Sequence, residues 1–422
     1  MLTSLKQWFP LLSRFLGGQA LIQVINLCTA LLLLRLLPVQ EYALFVIASF
    51  YLSIGSVGSD LNLSTALSTF GTRIAKDRKK LSGLFALIAG LRRKLFFIML
   101  LIIIAASAYM VNSQSWSSDV VMTLLIPVLI TVWVQQKLTL RAIVLNVQHD
   151  VTGIFKTALA GGFTRLILTI GFCSIWPLAI IAVLSLLVSV LLANYLTKQR
   201  CKLYLDEKTD ADQSYKKKIN NFIYPLLPAA IYFTFQGQIS ILLVSLVGTS
   251  NTIAEVGALS RFTQIFSFLG VLNGFFFQPA FSRIKFKEEF VRKLLLVLSI
   301  FIIVFSFTLL SAWLTPDLWL LLLGGNYSGL KDEVLLAVAA PIASYLFGFF
   351  FTLLASRAFT QGQYWYVLIT LVVQVLFIFL VGVDTTHKAL QLNFMNSVVT
   401  MLVEIVLLFL LVKDDANWIE NE

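Results

Sequence analysis

The sequence predicts an all-α integral membrane protein of about twelve transmembrane helices in two six-helix halves. Three observations carry that prediction: an apolar composition with few charges, twelve long apolar windows, and landmarks that recur at one period. Hydrophobic residues make up 59% of the 422 positions and charged residues 13%, with a mean hydropathy of +0.89. A soluble domain carries roughly a quarter charged residues. Lipid tails can solvate apolar surface that no protein interior of this size could bury.

Windows of about twenty apolar residues fall near 11–34, 42–69, 95–112, 120–140, 151–175 and 177–197. A polar linker follows at 198–220, and six more windows lie near 222–247, 252–282, 294–314, 333–356, 364–383 and 390–412. The second and eighth exceed what a bilayer needs, so they are expected to tilt or project. The N-terminus, MLTSLKQWFPLLSRF, has no A-x-A cleavage pattern after it and reads as a retained first helix rather than a signal peptide.

Formal net charge is +11, but the placement of the basic residues argues against nucleic acid as a partner. Arg73, Lys76, Arg78, Lys79, Lys80, Arg92, Arg93 and Lys94 crowd 70–94, and Lys198, Arg200, Lys202, Lys208, Lys216, Lys217 and Lys218 crowd the linker. Arg283, Lys285, Lys287, Arg292 and Lys293 fill 283–293, while the odd-numbered connections carry only Arg35, Lys331 and Lys388. The positive-inside rule then puts both termini and the linker in the cytoplasm of a bacterial inner membrane. The outward loops are short, which leaves no room for a large catalytic domain there.

The two halves read as repeats, 1–197 and 221–422, joined by the linker. Glu41-Tyr42-Ala43-Leu44 matches Glu255-Val256-Gly257-Ala258, and Leu140-Arg141-Ala142 matches Ser356-Arg357-Ala358, at offsets of 214 and 216 residues. Six helices per half with the same starting side mean parallel repeats, the construction of transporters whose binding sites lie between halves.

LLLLRLLPVQEYALFVIASFYLSIGSVGSDLNLSTALSTF, PDLWLLLLGGNYSGLKDEVLLAVAAP, LRAIVLNVQHD and SRAFTQGQY, in that order, resemble the helix-exit signatures of the polysaccharide transporters of the MOP superfamily. These are the Wzx-type O-antigen flippases, related to the MATE exporters, and the resemblance covers nearly the whole chain. Two positions depart from the pattern: Ala43 stands where the family usually has glycine, and His149-Asp150 replaces small turn residues. The resemblance implies a MATE-like fold and a lipid-linked sugar as cargo. It also implies work beside a polysaccharide polymerase and chain-length regulator.

Polar residues at membrane depth are costly, so each invites a functional reading. Ser49, Ser53, Ser56, Asp60 and Ser64 would share one face of the second helix within about 80°. Gln19, Gln23 and Asn26 line the first helix, Ser260, Arg261, Gln264 and Ser267 the eighth, and Asn393, Ser397, Thr400 and Glu404 the twelfth. Such stripes also let helices approach and bond to one another, but four from both halves point to a hydrated cavity.

Arg165 and Arg261 sit deepest, at roughly 21 and 14 Å into a hydrocarbon core of about 30 Å. Gly161, Arg165 and Thr169 share a face. Arg14 lies shallower, at the cytoplasmic entrance, where it could equally be an anchor. Arginine's planar fork suits phosphate oxygens, although a structural ion pair with Asp60 or Glu404 would also explain either buried arginine. The resembled flippases use an arginine in the eighth helix at a cationic cavity.

The expected substrate contacts are therefore Arg261, Arg165, Arg14, Gln264, Gln23 and Asn26, with Asp60 and Glu404 as ion-coupling acids. The cargo would be an undecaprenyl-diphosphate-linked glycan in contact with membrane lipid. No catalytic residue, metal site or cofactor is expected. Walker, nucleophile-elbow and H-E-x-x-H motifs are absent, and Cys28, Cys173, Cys201, His149 and His387 are scattered. The alternatives are an ion-coupled MATE-type exporter of small molecules and a membrane-bound polymerase, the latter lacking the long outward loop it would need.

Overall fold

The computed structural model describes residues 2–413, apart from 115, 116, 207, 208, 225, 226, 237, 285, 358, 360, 361 and 363. It leaves undescribed the side chains of 2–16, 110–114, 229, 233, 268, 271, 274, 275, 279 and 364. Helices α1 (Leu2–Leu36), α2 (Val39–Gly58), α3 (Leu63–Arg73), α4 (Arg78–Gln114), α5 (Ser118–Val147), α6 (Val151–Cys173) and α7 (Ala179–Cys201) come first. They are followed by α8 (Lys216–Ile223), α9 (Leu227–Gln236), α10 (Ile239–Val247), α11 (Ser250–Leu259), α12 (Phe262–Leu272) and α13 (Gln278–Ser282). The chain closes with α14 (Lys287–Leu314), α15 (Pro316–Leu323), α16 (Lys331–Ser356), α17 (Tyr364–Leu380) and α18 (Thr386–Lys413).

Each of the twelve apolar windows falls on helix. Among the described residues, eight helices are long and apolar enough to cross a membrane. Ala230–Gln236 and Ile239–Val247, bent by 55°, make a ninth if they form one span. Large apolar side chains on the outer faces of α14 and of the shorter apolar helix α17, such as Ile303, Phe307 and Phe379, are 70%, 73% and 85% exposed. Water would penalise that surface, and lipid does not.

Two compact units, Met1–Ala254 and Glu255–Glu422, divide the chain inside α11. The linker 198–220 and the seventh window thus group with the first unit, whereas the sequence offsets put the expected change of copy at the linker. In the first unit α7 packs on α5 and α6, α1 packs on α6, and α2, α3 and α4 lie against α5. In the second, α16 is central, with α18, α12, α14 and α15 against it. Phenylalanines fill that core edge to face, Phe301 to Phe349 at 5.0 Å and Phe281 to Phe290 at 5.2 Å.

The two offset-matched acids each tie down a later helix. Glu41, near the start of α2, accepts a 2.7 Å bond from the Ala179 backbone N–H at the first turn of α7. Glu255 accepts from the hydroxyl of Thr386, the first residue of α18. Each acid therefore secures the opening turn of the last long helix of its own repeat. Arg141 donates to Asn194 Oδ1 on α7 at 2.6 Å, and Arg357 donates to the Ile284 carbonyl. A third landmark had gone unread: Pro341 inside α16 stands 214 positions after Pro127 inside α5, the offset that separates Glu255 from Glu41.

Removing either acid tests this. Glu41→Ala orphans a helix-end N–H and should cost about 1–2 kcal/mol, seen as a lowered unfolding midpoint of the detergent-solubilised protein. Glu255→Ala should lower it comparably. Unchanged midpoints in both would show that these bonds do not hold the repeats.

Two sequence expectations are corrected. The two overlong windows do not tilt as single helices; both are broken. The second breaks at 59–62, where Leu61 (φ 38°) and Asn62 (φ 67°) are left-handed and the hydrogen-bond ladder cannot continue. The eighth breaks at Ser260-Arg261 and loosens into a π segment over Asn273–Phe277. Second, the charged stretch before the third window is not an open loop. α4 begins at Arg78, and its buried face runs Leu81, Leu84, Ile88, Arg92, Phe96, Met99. The linker is docked: Arg78 donates to the carbonyls of Lys202 and Leu205 at 2.8 and 3.0 Å, and Asp212 N–H donates to Gly83 O at 3.1 Å.

The unusual His149-Asp150 turn has a purpose. His149 takes the left-handed turn position (φ 55°), and Asp150 caps α6 through the Gly153 N–H at 3.0 Å. Asp150 also accepts from Arg200 Nε at 2.6 Å and from the Tyr204 hydroxyl at 3.2 Å, and the Arg200 guanidinium holds its carboxyl below the usual range.

Candidate functional site

The polar residues at membrane depth form separate clusters within each unit. In the first unit, the expected continuous face Ser49–Ser64 is interrupted, because Asp60 lies in the turn after α2 and Ser64 at the start of α3. Asp60 accepts from the backbone N–H and hydroxyl of Ser64 at 3.0 and 2.6 Å. It also faces Arg92 Nη2 at 3.4 Å. Arg92 is only 3% exposed, and its Nη1 donates to the Gln136 carbonyl and the Thr139 hydroxyl at 3.2 and 3.0 Å. The acid that sequence reasoning offered as a partner for Arg165 or Arg261 is thus held by an arginine that it had assigned to the cytoplasm.

Arg92 was legible after all. It occupies a 3-4-spaced apolar face four residues from both Ile88 and Phe96, each buried. An arginine on a core face requires an acid opposite, and Asp60 supplies it at the break.

Arg165 lies fourteen residues into α6, on a helix whose glycines admit close neighbours. A Cβ on Gly161 would stand 3.1 Å from the Ala193 Cβ of α7, and one on Gly162 3.2 Å from Ile25 of α1. Gly18 meets Phe155 in the same register as Ile25 meets Gly162, so α1 and α6 run parallel, with Arg165 level with Cys28 and within a turn of Asn26. Arg165 and Gln23 are half-buried and Asn26 is exposed, while Thr169, one turn beyond Arg165, is fully buried. Arg14 is on α1, but its side chain lies outside the described residues.

In the second unit, Arg261 occupies the break between α11 and α12. Its N–H bonds Ala258 O at 3.0 Å, Thr263 N–H bonds Ser260 O at 3.1 Å, and Gln264 N–H bonds Arg261 O at 3.0 Å. These three-residue bonds replace the four-residue ladder, so the chain tightens where the guanidinium departs. Phe262, fully buried with its ring edge-on to Trp319 at 5.4 Å, fixes the turn. Arg261 is half-buried, and three residues on, Gln264 Oε1 is buried with no hydrogen-bond partner.

Glu404 is fully buried on α18. The buried column leading to it is Asn396, Thr400 and Glu404, one turn apart, whereas Asn393 and Ser397 of the expected stripe are half-buried. Thr400 bonds the Asn396 carbonyl at 2.9 Å, and Asn396 Oδ1 has no hydrogen-bond partner. Other elements of the unit hold further buried amides, Gln374 on α17 and Asn273 at the π segment against α16, 2% and 6% exposed. Sequence windows passed over both, since a single amide scarcely lowers the hydropathy of twenty residues. Among the described residues no three His, Cys, Asp or Glu side chains converge as a metal site.

No family profile matches the chain, and no curated protein matches it in sequence. Solved structures match its fold. An inward-facing multidrug-resistance MATE family transporter of the MOP superfamily aligns over 93% of this chain and 94% of its own, with TM-score 0.68 and 14% identity. The lipid II flippase MurJ in an inward-closed conformation aligns over 94% and 87%, with TM-score 0.68 and 13% identity. A eukaryotic MATE transporter aligns over 94% and 95%, with TM-score 0.61 and 13% identity. The chain has the all-α, multi-pass membrane fold of these transporters.

Proposed function

We propose that this chain is a flippase for an undecaprenyl-diphosphate-linked oligosaccharide, an O-antigen or related surface-polysaccharide unit. It would move its cargo by alternating access from the cytoplasmic to the outer leaflet of a bacterial inner membrane, with both termini and the linker 198–220 in the cytoplasm. The supporting observation is Arg261 at the N-cap of α12, where the helical ladder of the eighth window is interrupted. A helix N-terminus carries partial positive charge, and transporters turn the ends of discontinuous helices toward anionic cargo. A guanidinium added there can fork two phosphate oxygens. A neutral or cationic cargo would gain nothing from that pairing.

Arg165 with Gln23 and Asn26 in the first unit, Gln264 beside Arg261, and Arg14 near the entrance are the other proposed contacts. Asp60 and Glu404 are the proposed coupling acids. A polymerase and chain-length regulator are the proposed partners, receiving the delivered unit.

A second reading, an ion-coupled exporter of small molecules, draws on the fully buried carboxylate of Glu404, which suits a cationic cargo. Expression in a strain lacking its own O-antigen flippase separates them. Surface polysaccharide should return with the wild-type chain, and Glu404→Gln should reduce it and change its dependence on pH or sodium. Acquired resistance to cationic drugs with no polysaccharide would support the exporter.

A further inference from the structure

We propose that a groove formed by the start of α3, by α4 and by α8 binds an anionic phospholipid of the leaflet around it. The inference goes beyond the flippase reading and does not depend on the cargo. The groove holds about 260 Å³ and is lined by Leu61, Leu91, Leu95, Lys94, Asn220 and Tyr224 among others, with no acidic side chain among the described residues.

Its position along α4 sets its depth. Leu91, Lys94 and Leu95 share one face, and the helix passes here from Arg92-Arg93-Lys94 into Leu95-Phe96-Phe97-Ile98. That is the transition from headgroup to hydrocarbon.

α8 forms the opposite wall. Its apolar side is anchored by Ile219, which is fully buried, and by Phe222 against Phe70 at 5.7 Å. At 100° per residue, Lys216 and Lys217 fall on the flank that carries Asn220 and Tyr224 into the groove. Lys218 points elsewhere, its ammonium 5.5 Å from the Tyr215 ring centroid. A short basic amphipathic helix of this kind lies in the interface plane.

The chemistry selects the occupant. Leucine walls accept an acyl chain, Lys94 in the lining with Lys216 and Lys217 on the adjoining flank attracts a phosphate, and the Tyr224 hydroxyl and Asn220 amide can bond glycerol esters. Each lysine near an anionic lipid surface strengthens binding about fivefold. The charge therefore favours phosphatidylglycerol over phosphatidylethanolamine, whose headgroup carries no net charge.

Native mass spectrometry of the full-length protein in detergent, titrated with either lipid, tests the site. Wild type should bind phosphatidylglycerol more tightly. Lys94→Gln with Lys217→Gln should weaken that binding roughly thirtyfold and leave phosphatidylethanolamine binding unchanged, which also shows that the variant is folded. Leu95→Trp, filling the groove, should reduce both. Equal affinity of wild type for the two lipids would overturn the proposal. So would unaltered phosphatidylglycerol binding by the double variant, or displacement of the lipid by excess free glycerol phosphate.

Discussion

Arg261→Ala is expected to restore almost no surface polysaccharide in a flippase-deficient strain while reaching wild-type abundance in the membrane. Loss of a charge-assisted contact to a phosphate costs about 1.5–3 kcal/mol, roughly a ten- to hundredfold fall in productive binding. Arg261→Lys should keep part of the activity, because it retains the charge and loses the fork. Arg261→Glu should abolish activity, since it sets like charges together in a low-dielectric site. A purely structural role predicts a different pattern, in which the Ala and Glu proteins fail to accumulate. Full complementation by a stably inserted Arg261→Ala protein removes this residue from the site.

Asp60→Asn is expected to be severe for another reason. Arg92 is 3% exposed and 3.4 Å from Asp60, so neutralising the acid strands a buried cation, at a cost of about 3–5 kcal/mol. Membrane abundance should fall sharply. Adding Arg92→Met removes the stranded charge and should restore abundance, because replacing a buried pair with apolar side chains is often neutral. The double variant then isolates Asp60's proposed coupling role. Normal transport by it, with unchanged pH and sodium dependence, would leave the pair as architecture only.

The sequence makes the fold class legible because bilayer solvation acts on every residue of a span. Twenty-residue windows average over local detail and still fall on helix. The repeat is legible for a related reason: Glu41 and Glu255 each tie down the opening turn of a later helix, so the same side chain is needed at the same place in both copies. What averaging hides is the path of the backbone. The break at 59–62 turns on left-handed Leu61 and Asn62, and leucine there carries no turn signal. Without that break, Asp60 reads as one more member of a polar stripe rather than the counter-ion of Arg92.

The candidate site divides the same way. The depth of Arg165 follows from counting along α6, which is unbroken from Val151 to Cys173. Arg261 is found by counting too, but its position at the start of α12 is set by hydrogen bonds that periodicity does not encode. The column Asn396, Thr400, Glu404 differs from the expected stripe because packing against α16 and α17 chooses which face of α18 is interior. An apolar helix with scattered polar residues leaves that choice open.

Reconstitution tests the central claim most directly. The purified chain is placed in proteoliposomes carrying a labelled undecaprenyl-diphosphate-linked oligosaccharide in both leaflets, and a membrane-impermeant sugar-modifying reagent is added outside. The flippase reading predicts that the protected inner-leaflet fraction becomes reactive with the wild-type protein and stays protected with Arg261→Ala. Continued protection with folded wild-type protein, under imposed proton and sodium gradients and alongside gradient-driven export of a cationic dye, would contradict it.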